Sequence, residues 1–250
     1  MALSKNTIKW INALRQKKYR QKYNKFIVEG DKMTREILQQ QNWRIDRIYA
    51  LDSWLKTHPN LLALYDDRTD VVSPAELKKI SALKTPNQVL VVVDIKETPL
   101  EVKQLIKTKS LYLDGIQDPG NMGTIMRIAD WFGLEAVFCS EDCADLYNSK
   151  VIQSSMGAFL RVASWRISLP KLLALHPDWP VMGAVLEGQN VFRTSFPDRG
   201  LLVIGSEGKG ISPENNTLLT HRITISKKGG AESLNAGVAC GIICALWTNT

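Results

Sequence analysis

The chain of 250 residues is 44% hydrophobic and 23% charged, a composition typical of a soluble globular protein with one large or two modest domains. No apolar run approaches the roughly 18–20 residues that cross a bilayer, and the N-terminal residues lack the apolar core of a signal peptide. We therefore expect a cytoplasmic protein with no membrane segment. The net charge is +7 at pH 7.

This positive charge lies entirely in the first part of the chain. Residues 1–105 hold 19 Lys and Arg against 12 Asp and Glu, whereas residues 106–250 hold 13 of each kind. The first 25 residues contain eight basic residues and no acidic one, with three aromatic residues among them: Trp10, Tyr19 and Tyr23. A basic run is often only a solvated surface. Aromatic residues interleaved with this much charge instead favour a polyanionic partner.

The first 95 residues indicate a small α/β module that begins with a helix. Residues 5–23 read as one basic helix, and three aliphatic residues at helical spacing form its apolar stripe: Ile8, Ile11 and Leu14. A strand at 25–30 follows and ends in a glycine turn. Asp31 is then a suitable N-cap for the next helix.

Two more strands and a capped helix complete this module. Residues 44–51 alternate like a strand, and residues 88–95 form an apolar β run. Between these strands, Ser73 and Glu76 have the spacing of a capping box, which predicts a helix start. A polar stretch follows the last strand. We place the domain boundary within it, giving domains of residues 1–105 and 106–250.

The second domain alternates between strands and helices. Strands are predicted at 110–114, 135–139, 181–186, 201–205 and 222–226, and helices at 121–132, 148–156, 212–220 and 233–247. Such alternation predicts a mostly parallel sheet with helices on both faces. Sheets of this kind bind ligands at the carboxyl ends of their strands, so the loops that follow the strands are the candidate site.

Three of these loops carry unusual residues. The first, "DPGNMGTIMR" at 118–127, places Arg127 in the helix that follows a tight turn. The second, "GSEGKG" at 205–210, has glycines that let backbone N–H groups approach a ligand, but it matches no phosphate-loop pattern. The third, "GGAESLN" at 229–235, leads into a helix rich in small residues. Each loop alone could be an ordinary turn with a helix cap, such as Ser233 in the third.

The four cysteines form two C-x₃-C pairs, Cys139 with Cys143 and Cys240 with Cys244. Structural zinc sites usually have tighter C-x₂-C knuckles, and no histidine stands at ligand spacing. The second pair lies in an apolar helix, where small packing residues are expected. We therefore expect no metal and no disulfide.

Together, the order and spacing of DPGN-x-G-x₃-R, IGSEGKG-I-S and G-x₂-ESLN resemble the SpoU (TrmH-like) family of RNA 2′-O-ribose methyltransferases, which belongs to the SPOUT class. The resemblance covers about 107–250, and residues 25–38 are similar to the start of that family's substrate-binding domain. It implies an α/β fold whose mostly parallel sheet ends in a C-terminal trefoil knot, preceded by a small ribosomal-protein-like α/β domain. The chain departs from the family at Ser226-Lys227, where Pro-Met or similar is usual, and at Ala236-Gly237, where Val-Ser is frequent.

The resemblance also implies the site residues, position by position. It makes five residues contacts for S-adenosylmethionine: Gly205, Ile225, Leu234, Gly210 and Leu186. Arg127 matches the catalytic arginine, supported around the ribose and phosphate by four residues: Asn121, Glu207, Ser233 and Asn235. Arg127 is either the general base or an electrostatic stabiliser, and no metal is required.

The partners implied are RNA and a second copy of the chain. A folded N-terminal domain favours large-subunit ribosomal RNA over tRNA, and four basic residues are expected to supply RNA affinity: Lys17, Lys18, Arg20 and Lys22. The homodimer is expected to involve the helix predicted at 233–247. Two alternatives stay open here: a non-catalytic RNA-binding or ribosome-assembly protein on the same fold, and an enzyme of the same class that methylates a base nitrogen. The first motif favours the 2′-O reaction over the latter.

Overall fold

The computed structural model describes residues 3–96, 99–100 and 108–249. The chain divides into two compact units, residues 1–97 with 147–153 and residues 98–146 with 154–250. The predicted boundary between residues 105 and 106 lies outside the described residues. Each unit is built around a sheet of its own.

In the first unit, four strands form one mixed sheet. They are β1 (Lys25–Glu29), β2 (Ile45–Ala50), β3 (Thr69–Val71) and β4 (Val89–Asp94), in the order β1-β4-β2-β3. β4 runs antiparallel to β1 and β2, and β2 runs parallel to β3. The helices lie at Lys5–Ala13, Lys17–Tyr23, Asp31–Gln40, Asp52–Thr57, Pro59–Leu62 and Pro74–Ile80, with a 3₁₀ turn at Asp66–Arg68.

The prediction of one continuous helix over 5–23 is wrong, because the chain turns between two helices at residues 14–16. Gln16 has an extended backbone and begins the second helix. The guanidinium of Arg20 reaches back to donate to the carbonyls of Leu14 and Arg15, at 2.9 and 2.8 Å. Two residues of the predicted apolar stripe, Ile11 and Leu14, are buried in the core of this unit. The periodicity therefore identified the buried face but could not show the break.

The capping box at the start of the last helix of this unit is confirmed. The Ser73 hydroxyl accepts from the N–H of Glu76 at 3.3 Å, and the Glu76 carboxylate accepts from the N–H of Ser73 at 2.9 Å. The Ser73 backbone and hydroxyl, together with the N–H of Leu3, lower the pKa of Glu76 to about 2. This helix end is thus satisfied in the way its sequence predicts.

In the second unit, six strands form one fully parallel sheet. They are β5 (Lys109–Asp114), β6 (Ala136–Cys139), β7 (Ala163–Arg166), β8 (Val181–Asn190), β9 (Gly200–Gly205) and β10 (His221–Thr224), in the order β10-β8-β9-β5-β6-β7. The helices of this half of the chain lie at Pro119–Trp131, Ser149–Ser155, Leu169–Leu175, Pro213–Asn216 and Ala236–Thr248, with 3₁₀ turns at Ala158–Leu160 and Val191–Arg193. The predicted parallel α/β architecture is confirmed.

Several local predictions differ from this structure. The strand β7 and the helix Leu169–Leu175 were not predicted, and the helix expected over 212–220 ends at Asn216. The helix expected from residue 233 begins only at Ala236, because Asn235 rather than Ser233 is its N-cap. Short elements such as β7 carry too few residues for a clear period, so packing against the neighbouring strand decides them.

The parallel register places two of the three loops side by side. Asp114 at the end of β5 is the register partner of Gly205 at the end of β9. The helix Ala236–Thr248 also packs against the helix Pro119–Trp131. A Cβ added at Gly237 would lie only 3.1 Å from Thr124, so the small residue permits a close approach. The helix predicted to be rich in small residues therefore packs closely on the helix that follows the first loop.

The described residues contain no helix that is both long and apolar enough to cross a membrane. Within the same residues, no group of three or more His, Cys, Asp or Glu side chains is arranged to hold a metal ion. All four cysteines are free and buried. Cys240 and Cys244 are fully buried with their sulfur atoms 3.8 Å apart, as their predicted packing role requires.

Candidate active site

The first loop is a capped helix start at the carboxyl end of β5. Asp118 has an extended backbone, and its carboxylate accepts from the N–H of Asn121 at 2.9 Å. Pro119 occupies the first turn, where its missing N–H has no cost. This cap leaves the amide side chain of Asn121 free to turn away from its own helix.

The second loop is a tight turn whose geometry requires glycine at its start. Ser206 and Gly210 exchange two backbone hydrogen bonds of 3.1 and 2.8 Å. A Cβ on Gly205 would lie 2.2 Å from the carbonyl carbon of Gly210 and 2.3 Å from the nitrogen of Ile211. The side of Gly205 that would bear a side chain is therefore closed by backbone, and no other residue fits there.

A buried carboxylate at the end of β5 binds the segment that follows the second loop. Asp114 is 6% exposed, and one of its oxygens accepts from the N–H of Ser212 at 2.7 Å. Asp114 is not among the site residues predicted from the sequence. The available signal was its type, since an acidic residue that ends a buried strand needs a partner.

The third loop ends in the N-cap of the last helix. Asn235 accepts from the N–H groups of Gly237 and Val238 through its side-chain oxygen, at 3.0 and 3.3 Å. Its nitrogen therefore points away from the helix. Ser233, the cap expected from sequence, instead lines a cleft together with Leu234.

Side chains from all three loops meet in one hydrogen-bonded group. Asn121 donates through its side-chain nitrogen to Glu207 Oε1 at 2.8 Å. Asn235 donates to the same carboxylate oxygen at 2.5 Å and to Asn121 Oδ1 at 2.9 Å. We call Asn121, Glu207 and Asn235 the polar trio. A carboxylate accepts only, so two amide donors around one oxygen fix the orientation of both amides.

An open cleft of about 540 Å³ lies beside the polar trio. All five residues predicted to contact the cofactor line it: Gly205, Ile225, Leu234, Gly210 and Leu186. Glu207 and Ser233 line it as well, and the isoleucines 204, 223 and 243 add apolar wall. The volume and the mixture of aliphatic side chains with exposed backbone are typical of a site for a small organic molecule.

Two predicted features lie outside this cleft. Ser226 and Lys227, the departures from the family pattern, are exposed and do not contribute to its lining. Arg127 is exposed on the helix Pro119–Trp131, and no described side chain or backbone carbonyl accepts a hydrogen bond from it. It stands six residues beyond Asn121, which is about 9 Å along a helix axis and a different face. The structure thus groups the polar trio with the cleft but leaves the arginine at the surface.

The four basic residues predicted to bind RNA differ in exposure: three are at the surface and one is buried. Lys17, Lys18 and Lys22 are exposed on the second helix of the first unit. Arg20 is only 2% exposed, and its guanidinium holds the turn between the two N-terminal helices. The structure therefore removes Arg20 from the candidate RNA surface and assigns it to folding.

The three exposed lysines should therefore contribute to RNA affinity, whereas Arg20 should not. We expect the triple variant Lys17→Gln, Lys18→Gln, Lys22→Gln to bind RNA more weakly, with the slope of log affinity against log salt reduced by roughly 2, since each phosphate contact contributes about 0.7 on single strands. Filter binding over a series of salt concentrations measures both quantities. Lys56→Gln is the control, because Lys56 already pairs with Asp52 at 2.6 Å.

Arg20→Gln should behave in the opposite way. Loss of its buried hydrogen bonds should lower the free energy of unfolding by about 1–3 kcal/mol, seen as a lower Tm. At temperatures where the variant is folded, its salt slope should match the wild type. A reduced slope with an unchanged Tm would return Arg20 to the RNA surface.

The fold and the site together define a class: a protein with a parallel α/β domain that carries, at the carboxyl edge of its sheet, a cleft walled in part by glycines and of a size that suits a small organic molecule. Comparison with known proteins is more specific. Residues 109–245 match the model of the SpoU rRNA methylase family, and residues 5–91 match that of the MRM3-like substrate binding domain. The chain belongs to the SpoU rRNA methylase family, as its motifs predicted.

Individual relatives span nearly the whole chain. The 23S rRNA (guanosine(2553)-2′-O)-methyltransferase RlmP of Bacillus subtilis is 29% identical over 238 residues, which are 92% of this chain and 91% of that protein. The structure of a TrmH-family protein from Porphyromonas gingivalis has 36% identity and a TM-score of 0.86, covering 99% of this chain and 98% of that one. The AdoMet-bound rRNA methyltransferase of Sinorhizobium meliloti shares the fold with a TM-score of 0.88 at 21% identity, over 100% and 96% of the two chains.

Proposed function

We propose that this protein transfers a methyl group from S-adenosylmethionine to a ribose 2′-hydroxyl of RNA, with large-subunit ribosomal RNA as the substrate. The observation that carries the proposal is the polar trio. It joins the three motif loops at the rim of a cleft that all five predicted cofactor residues line. Family membership and the RlmP relative support the same activity.

The lining of the cleft suits the chemistry of S-adenosylmethionine. Adenine is uncharged, so aliphatic walls and backbone hydrogen bonds are what its recognition requires. Ile225 and Leu234 would supply the walls, and the backbone near Gly205 and Gly210 would supply donors and acceptors. When bound, S-adenosylmethionine supplies an activated sulfonium methyl group.

The residues of this chain would then position the RNA. Holding the ribose oxygen in line with the methyl group contributes up to about 7–11 kcal/mol to lowering a barrier of this kind. Glu207 keeps the amides of Asn121 and Asn235 oriented at the cleft rim. A guanidinium is a planar cation with several N–H donors, so we assign Arg127 to stabilising negative charge on the ribose oxygen and the neighbouring phosphate.

The choice of ribosomal RNA rests on the relatives and on the N-terminal unit. RlmP matches this chain over both units, and RlmB of Ralstonia nicotianae, also named for 23S rRNA, matches 53% of it at 31% identity. The alternative substrate is tRNA. Purified protein should be incubated with methyl-labelled S-adenosylmethionine and either 23S rRNA or total tRNA. Label in tRNA alone would reverse the choice, and label in neither would favour a non-catalytic RNA-binding protein.

The reacting group can be tested within the same assay. Once the modified nucleotide is mapped, an RNA fragment with one 2′-deoxy sugar at that position should still bind. It should accept no methyl group, because the 2′-hydroxyl that would receive it is missing. The unmodified fragment is the control. Methyl transfer into the deoxy fragment would show that a base is methylated instead.

We further propose that the C-terminal part of the second unit forms a trefoil knot. The family resemblance and the parallel order β10-β8-β9-β5-β6-β7 support it, as does the return of the last helix to pack on the helix after β5. Knots are nearly absent from protein folds in general. An experimental chain trace with no threading around residues 200–248 would contradict this proposal.

A homodimer in the cytoplasm is the assembly we propose. Its support in this chain is an exposed apolar pair on the two packed helices of the second unit, Trp131 at 81% and Val238 at 51% exposure. Large exposed aromatic side chains are enriched at protein interfaces.

The dimer gives a mutational prediction. Trp131→Arg should weaken self-association at least about 100-fold, because it would bury an unpaired charge, and so yield monomers at micromolar concentration by light scattering. Leu175→Arg is the matched control, since Leu175 is 52% exposed on a different helix and should leave the dimer intact. A wild-type monomer at micromolar concentration would contradict the dimer itself.

A further inference from the structure

The second helix of the first unit carries an aromatic cluster that no step of the proposed reaction uses. Tyr19 and Tyr23 lie one helical turn apart with nearly parallel rings, whose centroids are 6.3 Å apart at an angle of 13°. Trp10, from the preceding helix, meets Tyr23 edge to face at 6.4 Å. The cluster therefore joins both N-terminal helices and has a defined geometry.

Burial in the core accounts for only part of this cluster. Trp10 is half-buried and packs against core residues of the unit. Tyr19 is half-buried too, but Tyr23 is 37% exposed. Trp10 thus packs against a ring that is partly exposed to solvent.

The ammonium groups of two lysines lie over the same two tyrosine rings. The ammonium of Lys18 lies 4.8 Å from the centroid of Tyr19, and that of Lys22 lies 5.5 Å from the centroid of Tyr23. No acidic residue precedes Glu29 in the chain, and Glu29 is buried. The surface around Tyr19 and Tyr23 thus combines partly exposed aromatic rings with the positive charge of two exposed lysines.

We propose that Trp10, Tyr19 and Tyr23, with Lys18 and Lys22, form a stacking platform for an unpaired nucleotide of RNA. Aromatic faces bind bases by stacking, and lysines bind the adjoining phosphates. A base in a duplex has both faces covered by its neighbours, so only an unpaired base can use the rings. The identity of the RNA rests on the proposed function, but the mode of binding rests on this geometry alone.

The test compares two RNA probes on the full chain. One is a fluorescein-labelled single-stranded RNA octamer, and the other is the blunt duplex of the same sequence, both followed by fluorescence anisotropy. Tyr19→Leu with Tyr23→Leu keeps apolar side chains on the helix but removes the aromatic rings. It should weaken binding of the single strand by at least about fivefold, the lower end of one stacked base, and change duplex binding less than twofold.

Two further variants separate stacking from charge and from misfolding. Tyr19→Phe with Tyr23→Phe keeps the rings and should restore single-strand affinity relative to the leucine pair, which a general folding defect would not allow. Lys18→Gln with Lys22→Gln should weaken binding of both probes. Leucine variants that bind the single strand like the wild type, or that lose both probes equally, would overturn the platform.

Failure of the platform and failure of the proposed function give different results. Methyl transfer to ribosomal RNA by the wild type together with unchanged single-strand binding by the leucine pair would overturn the platform alone. Loss of single-strand binding in the leucine pair, with no methyl transfer by the wild type to any RNA, would overturn the proposed enzyme and support the platform.

Discussion

Replacing Arg127 with alanine should lower methyl transfer at least about 10²–10³-fold, the usual loss when one donor to a developing oxyanion is removed. Affinity for S-adenosylmethionine should stay within a factor of about two of wild type. The reason is spatial: Arg127 is exposed on its helix and does not line the cleft, whereas Gly205, Ile225 and Leu234 do. Single-turnover rates with saturating RNA, together with calorimetric titration of the cofactor, measure the two effects separately.

Two variants sharpen this test. Arg127→Lys should restore little activity, since an ammonium cannot reproduce the planar fork of a guanidinium. Arg199→Ala is the matched control, because Arg199 is also exposed but stands directly before β9, at the amino end of that strand. An active Arg127→Ala enzyme would remove this arginine from the mechanism. Equal losses in both alanine variants would show that positive charge in general is what matters.

The second large effect is expected at Gly205. Gly205→Ala would place a methyl group 2.2 Å from the backbone carbon of Gly210, which is far inside contact distance. Since a backbone atom cannot rotate away, the loop must shift, at a cost of about 1–3 kcal/mol. We expect a lower Tm and cofactor affinity reduced by roughly tenfold or more, in step with that cost.

Gly208→Ala is the control for this change. It lies in the same loop, yet a Cβ there would meet no heavy atom within 4 Å. Its Tm and cofactor affinity should stay close to wild type in the same thermal scan and titration. If both alanine variants bind the cofactor normally, the tight turn at Gly205 is not required for binding. If both lose it, loop flexibility rather than the close backbone approach is responsible.

The three loops of the candidate site could be predicted from the sequence because their signals are local. A strand, a turn with glycines and a helix start are each encoded within about a dozen residues, and parallel strands bring such loops to one edge. The grouping of Asn121, Glu207 and Asn235 into hydrogen-bonding distance agrees with that expectation. Asp114 was overlooked because its partner, the N–H of Ser212, is 98 residues away in the chain.

In the two N-terminal helices, local sequence patterns predicted the buried apolar residues but not the role of Arg20. Helical periodicity assigned Ile11 and Leu14 to the core correctly. Arg20 was predicted to be exposed like the lysines beside it, because nothing in the local sequence distinguishes a buried basic residue from an exposed one in a basic segment. Only the turn at residues 14–16 brings the carbonyls of Leu14 and Arg15 within reach of Arg20, and such a turn depends on contacts made after the helices form.

The parallel α/β class, the charge asymmetry and the three loops can all be read from the amino-acid sequence, since backbone preference, periodicity and composition act over short stretches of chain. Long-range contacts instead set which of these loop side chains hydrogen-bond to each other, that Asn235 rather than Ser233 caps the last helix, and that Arg20 is buried while Lys18 and Lys22 lie over aromatic rings. These features escape a local reading because burial and hydrogen-bond partners are set by residues distant in the chain. A side chain of a given type is therefore a surface ligand or a structural anchor according to what the fold places beside it.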